Sequence, residues 1–202
     1  AAEGDIKPES LHNIIALGEL SLEGGLRNIH GALSIALEAR DKGFEKIILP
    51  RQNAEEAALV EGISVIPVEA LNEAVAYLNK ELEITPAKVD IKKLFEESHG
   101  NYYHNLSDVK GQENVKRAIE VAAAGGHNML MIGPPGSGKT MLAKRIPSIL
   151  PSLTVEESLE TTKIHSVAGM LQVNEALLTA RPFRSPHHTI SDAALVGGGM
   201  AK

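Results

Sequence analysis

The chain contains no cysteine, so neither a disulfide framework nor a thiolate metal site is open to it. It has no tryptophan, and aromatic residues make up only 3% of its 202 positions. Core building therefore falls to Ala, Leu, Ile and Val, which suits α/β packing, and a hydrophobic content of 43% is enough for a real core in one or two domains. No apolar run approaches the roughly 20 residues of a membrane span, and the first residues lack the pattern of a secretory leader. Positive charge is not in excess either, with a formal net charge of -6. That argues against a uniformly basic nucleic-acid binder, although a local basic patch or a ring pore could still hold DNA. These absences point to a soluble, cytoplasmic protein with no membrane partner.

The most informative stretch that is present runs Gly133-Pro134-Pro135-Gly136-Ser137-Gly138-Lys139-Thr140. It fits the P-loop pattern G-x-x-x-x-G-K-[ST]. Glycines let the backbone curl until its N–H groups converge on phosphate oxygens. Lys139 adds a charge that reaches the β- and γ-phosphates and is the candidate catalytic residue. The Thr140 hydroxyl is the candidate Mg²⁺ ligand, and the helix that follows, with Met141 in its first turn, points its positive end at the same anion. A nucleoside triphosphate, ATP with Mg²⁺, is the ligand this implies. The apolar run Asn128–Ile132 reads as a buried strand feeding the loop, and Thr140–Ile146 as the helix leaving it, closed by Pro147 and Pro151. The competing reading is an ordinary Gly/Pro turn between core elements.

The first 80 residues alternate strand and helix signals. Gly18–Ile29 reads as two short strands around Glu23-Gly24-Gly25. Leu33, Ala36 and Leu37 recur at helical spacing, and Gly43 stops that helix. Lys46–Leu49 and Ile63–Ile66 read as strands. Asn53 with Glu56 three residues on reads as an N-cap with its capping-box partner, starting a helix that ends near Gly62. Leu71, Ala74, Val75 and Leu78 stripe a further helix. Strands separated by such helices imply parallel pairing through crossovers. Residues 81–105 are charge-rich around Pro86 and read as a linker with one short helix. Gln112–Ala124 reads as a helix with Val115, Ala118, Ile119 and Ala122 on one face, ended by Gly125-Gly126. Glu113 and Arg117 are spaced for a surface ion pair.

Paired His187-His188 invites a zinc reading, but no third ligand is spaced nearby. With Arg181 and Arg184 it makes a small basic group that could meet DNA phosphates or a neighbouring subunit, unless it is simply a solvated hairpin. His99, His104 and His127 show no partner pattern and read as loop or cap residues.

Several segments together resemble one family. Leu106–Gln112, one helix before the P-loop, is similar to the segment that lies against adenine in AAA+ ATPases. Arg181–Ser191 and Asp192–Gly199 resemble the signature of magnesium-chelatase-like AAA+ proteins, in particular the competence-associated ComM/YifB branch. Gly18–Leu26 and Gly43–Pro50 resemble the second half of the ribosomal-S5-like domain found in that branch and in the Lon protease. The resemblance implies an α/β chain in three parts: a partial S5/Lon-like unit over 1–80, a linker over 81–105, and the start of an AAA+ parallel-sheet domain over 106–202. It adds Val109, Gly111 and Gln112 to the nucleotide contacts. It implies ATP hydrolysis by a hexameric ring of identical subunits, with DNA as the substrate moved; remodelling of a protein or insertion of a metal is the alternative, and nucleotide binding without turnover is another.

The Lon likeness raises proteolysis by a Ser–Lys dyad. The family's lysine position falls on Leu33, which cannot accept a proton, and the serine-bearing part would lie upstream of Ala1, so a structural or interaction role is the better reading. An AAA+ site also needs a Walker B carboxylate pair, a sensor and an arginine finger, and residues 141–202 contain no apolar strand ending in acidic residues. The expectation is that the chain is the middle of a longer protein and by itself does not form a stable ATP-hydrolysing domain.

Overall fold

The computed structural model describes residues 6, 11–98, 102–172, 175–187 and 189–191. His99, His188 and the Asp192–Gly199 signature lie outside the described residues. The chain forms two compact units, one from residues 1–99 and 153–179, the other from 100–152 and 180–202.

The first unit is built on a three-stranded parallel sheet, in order β1 (Ile14–Ala16), β4 (Lys46–Pro50), β5 (Ser64–Val68). In register, Ile47 of the central strand faces Ile15 and Val65, and Ile48 faces Ala16 and Ile66. Alternation along the strands then decides which layer each side chain enters. Ile47, Leu49 and Val65 join Leu33 and Ala36 of α1 (Ala32–Asp41) and Ala54 and Ala57 of α2 (Ala54–Ala57). Ile48, Ile66 and Val68 join Ala74 and Leu78 of α3 (Leu71–Leu78) on the opposite face. With both faces covered, β4 and β5 are near-continuous apolar runs, as a parallel sheet requires. Ile48→Ala is expected to lower the stability of this unit by about 2–5 kcal/mol, the usual cost of a core cavity, read as a fall in urea midpoint with an unchanged slope.

The expected Gly18–Ile29 hairpin is present as β2 (Glu19–Leu20) and β3 (Leu26–Arg27), antiparallel. Gly43, at φ 84, follows α1 as expected. Three readings need correction here. Asn53 stands at the N-cap position of α2 as expected but makes no side-chain cap bond: its amide grips Ile29 instead, accepting from the Ile29 N–H and donating to the Ile29 carbonyl, both at 2.9 Å. Its capping-box partner Glu56 is likewise drawn away, accepting the Leu33 N–H at 2.8 Å. The helix begun there lasts only one turn, to Ala57, rather than running to Gly62. The stretch read as a linker also packs: Ala87 bridges to Val65, and Ile91, Leu94 and Phe95 of α4 (Ile91–Ser98) lie against the first core layer.

Two elements went unread. β1 is one. The other is α7 (Val155–Val167), started by a capping box in which the Thr154 hydroxyl accepts the Glu157 N–H at 3.1 Å and the Glu157 carboxylate accepts the Thr154 N–H at 3.0 Å.

The second unit holds α5 (Glu113–Gly125) and α6 (Lys139–Ala143) around a small core of Leu106, Val109, Ile119 and Leu142. Gly126, at φ 62, ends α5 as expected. Its Ile119 is buried but Ala118 is exposed, so the inward stripe is narrower than the expected one. Glu113 pairs with Lys116 at 2.8 Å and Arg117 with Glu120 at 3.0 Å, so the expected Glu113–Arg117 pair is replaced by two i,i+3 pairs. Residues 128–132 form no ladder among the described residues. The run alternates all the same: Met129 and Met131 pack on the core, while Leu130 and Ile132 are 83% and 88% exposed. The side chains have strand periodicity, but a strand assignment needs a neighbour to bond. The helix after the loop also ends earlier than expected, at Ala143, and Pro147 sits inside a separate 3-10 turn over Ile146–Ile149.

Candidate nucleotide site

The loop from Gly133 to Thr140 is shaped by its glycines. Gly136 and Gly138 hold φ of 79° and 84°, where a side chain would be strained. A Cβ on Gly133 would come within 3.1 Å of the Ser137 hydroxyl. Gly138 serves as the N-cap of α6 and has no side chain to satisfy the helix's first donors. The outcome is a row of open donors. The backbone N–H groups of Gly136, Gly138, Lys139, Thr140 and Met141 have no acceptor among the described residues. Converging free N–H groups at a helix start make an anion cradle.

Lys139 sits within this cradle. Its Nζ donates to the carbonyls of Gly133 at 2.8 Å and Pro134 at 2.7 Å, and to the Ser137 hydroxyl at 3.2 Å. The side chain is thus folded onto the loop, its charge held by two loop carbonyls and a hydroxyl. Thr140 is exposed on the first turn, and its hydroxyl has no partner among the described residues, which leaves its oxygen available to a hard cation. Pro135 is exposed at the loop's tip. Donors for phosphate and an oxygen for Mg²⁺ are therefore both present, and the residues fit the nucleotide and metal that the motif implies.

The preceding segment is only partly brought to the loop. Gly111 and Gln112 turn the chain with consecutive left-handed φ values of 69° and 57°. That turn swings the Gln112 amide to within 3.5 Å of where a Gly138 Cβ would stand. Val109 is buried in the core, and its carbonyl accepts Lys116 Nζ at 3.1 Å. A cleft of about 470 Å³ runs beside the loop, lined by Gln112, Val115, Met129, Met131, Ser137 and Lys139 among others. Sequence reading missed Val115 and the two methionines as cleft residues. Their apolar periodicity signalled burial but not the hollow they border.

Of the remaining candidates, Arg181 donates from Nε to the Pro151 carbonyl at 2.7 Å, and His187 Nδ1 lies 2.8 Å from the Thr189 hydroxyl. Among the described residues no group of three His, Asp or Glu side chains could hold a metal ion. None of their helices is long and apolar enough to cross a membrane.

Residues 105–202 match the family model for magnesium chelatase subunit ChlI, and residues 1–53 match a second model for the ChlI subunit of Mg-chelatase. The protein YifB of Escherichia coli K12 is 42% identical over 201 residues, covering 98% of this chain and 38% of YifB. The competence protein ComM of Haemophilus influenzae is 38% identical over 199 residues, covering 98% of this chain and 39% of ComM. The chain is a ComM/YifB-like member of the magnesium-chelatase family. This magnesium-chelatase-family chain spans under two fifths of the length of those two relatives.

A shorter likeness links it to the archaeal Lon protease of Archaeoglobus fulgidus, 39% identical over 54 residues, which is 27% of this chain and 9% of that protein. In the magnesium-chelatase-family chain the expected dyad position is closed. Leu33 is buried, and its N–H is taken by Glu56.

Proposed function

We propose that the chain supplies the nucleotide-gripping half of an AAA+ ATPase site, and that the whole protein forms a hexameric ring that uses ATP hydrolysis to move DNA strands. The observation that carries the nucleotide part is the cradle: five N–H groups without an acceptor among the described residues, that of Lys139 included, beside a Lys139 Nζ that rests on the Gly133 and Pro134 carbonyls. On nucleotide binding Lys139 turns from those carbonyls to the β- and γ-phosphates, while the loop N–H groups fix the phosphate chain. Thr140 would hold Mg²⁺, which when bound would supply charge neutralisation to phosphoryl transfer. Gln112, with Gly111 and Val109 behind it, borders the place for the base. The ring and the DNA rest on family likeness and on the name of the ComM relative.

A metal-inserting or protein-remodelling ATPase is the second reading, favoured by the matching models' own description as a chelatase subunit. Nucleotide binding without turnover by this chain is the third, favoured by a site whose groups are those that grip a phosphate chain. ATPase rate in the whole protein, measured with and without single-stranded and branched DNA, separates them. The DNA reading expects stimulation that fades as salt rises, because phosphate contacts release counterions. An ATPase indifferent to DNA, with no DNA binding at low salt, favours the second reading, and binding without hydrolysis the third.

A further inference from the structure

Helix α7 is built with its polarity reversed. The face it turns inward carries Ser158, Thr162 and Ser166, one helical turn apart and all buried. The apolar Ile164 and Val167 lie outside, 67% and 63% exposed, and Met170 follows them at the surface. A helix docked by the hydrophobic effect shows the opposite arrangement.

Hydrogen bonds take the place of apolar contact along this seam. Ser158 Oγ donates to the Leu178 carbonyl. Thr162 Oγ1 accepts the Leu178 N–H at 3.0 Å and donates to the Ser158 carbonyl at 2.7 Å. Ser166 Oγ accepts the Gly31 N–H at 2.9 Å and donates to Glu56 Oε1. Gly31 permits the approach: it holds φ 77°, and a Cβ there would stand 3.3 Å from Val167 Cγ2. Leu159, Ala176 and Leu177 are the apolar exceptions, with Leu177 buried in the first core layer and Leu159 packed against it.

Such a seam opens cheaply. Each hydrogen bond broken is exchanged for one to water at small net cost, and the apolar surface the strap gives up is confined to Leu159, Ala176 and Leu177 with the core residues they cover. Chain connectivity favours opening as well. The backbone passes out of the P-loop unit after Ser152 and re-enters it at Ala180, so α7 and its return segment reach the first unit as an excursion tethered at both ends.

We propose that α7, with the return segment Glu175–Thr179, is a detachable strap on the first unit, one that opens as a block while the parallel sheet stays folded. A cleft of about 490 Å³ already lies along the closed seam, its walls including Asn53 and Glu56 on the sheet side and Ser166 and Gln172 on the strap side, and opening widens it. The strap is independent of whether the P-loop hydrolyses ATP.

Hydrogen exchange read by mass spectrometry on the full chain under native conditions tests this. Amides of α7 are expected to exchange through an opening populated about 100-fold more than the one that exposes β4, since sub-global openings are far more frequent than global ones. Thr162→Val, close in volume but without the hydroxyl, is expected to raise α7 exchange about ten-fold and leave β4 unchanged, because it removes seam bonds and nothing from the sheet. Ser166→Ala is expected to act the same way. Equal protection of α7 and β4 in the unmodified protein would overturn the proposal, and that comparison needs no variant to fold. Variants that speed both segments alike would make α7 part of the cooperative core, and variants that change neither would remove the seam as its fastening; either result rejects the strap.

Discussion

Lys139→Ala is expected to weaken ATP binding by about 100- to 1000-fold in the whole protein and to abolish hydrolysis, the scale seen when one oriented donor to a developing oxyanion is lost. The effect is large because the other phosphate donors are neutral N–H groups. Gly136, Gly138, Thr140 and Met141 can orient a triphosphate, but only Lys139 brings a full charge to it inside the loop. At about 1.4 kcal/mol for each factor of ten, the loss is worth about 3–4 kcal/mol, more than any single loop N–H supplies. Lys139→Arg is not expected to rescue. The unmodified Nζ fits between two carbonyls at 2.8 and 2.7 Å, a space suited to a compact ammonium and not to a planar fork. Titration calorimetry with a non-hydrolysable ATP analogue and Mg²⁺ measures this directly. An Ala variant that binds with unchanged affinity would place the nucleotide elsewhere.

The loop was legible because its function demands residue types at fixed spacings: glycine where φ turns positive, lysine at the end of the curl. β4 and β5 were legible for a different reason. A strand covered on both faces must be apolar at every position, and Ile47–Leu49 and Val65–Val68 show that as unbroken runs. What could not be read depended on partners remote in sequence. Asn53 and Glu56 have the spacing of a capping box, yet both are captured by residues 24 and 23 positions away, Ile29 and Leu33. The alternation of Met129 to Ile132 is local, but a ladder there requires another strand alongside. β1 is three residues long and carries too little pattern to stand out. α7 was hidden because its inward face is Ser158, Thr162 and Ser166, so a search for buried apolar periodicity passes over it. Its Thr154 just ahead of the helix and Glu157 in the first turn, three apart, were the available signal.

Glu56→Ala is expected to cost the first unit about 2–4 kcal/mol. Glu56 is buried, which for an ionised carboxylate is expensive unless its oxygens are occupied. They are: Oε1 accepts the Leu33 N–H at 2.8 Å and the Ser166 hydroxyl, and Oε2 faces Asn53 Nδ2 at 3.5 Å. Leu33 lies in the first turn of α1, whose N-cap is Gly31 and offers no side chain. The carboxylate therefore does from a distance what a capping residue would do locally, and it sits at the positive end of the helix. Two opposed terms follow from its removal. Relief from burying a charge favours the variant, while stranded donors on Leu33 and Ser166 oppose it. The stranded donors are expected to prevail, because the site is enclosed by α7 and the methyl of alanine can accept nothing. Glu56→Gln keeps one acceptor oxygen and should fall between the two. Urea unfolding followed by circular dichroism gives the ordering, and exchange at the Leu33 amide locates the damage. An alanine variant within about 0.5 kcal/mol of the parent, the scatter of ordinary surface changes, would mean that the relieved charge had offset the lost bonds, and that Glu56 is held by α1 and α7 rather than holding them.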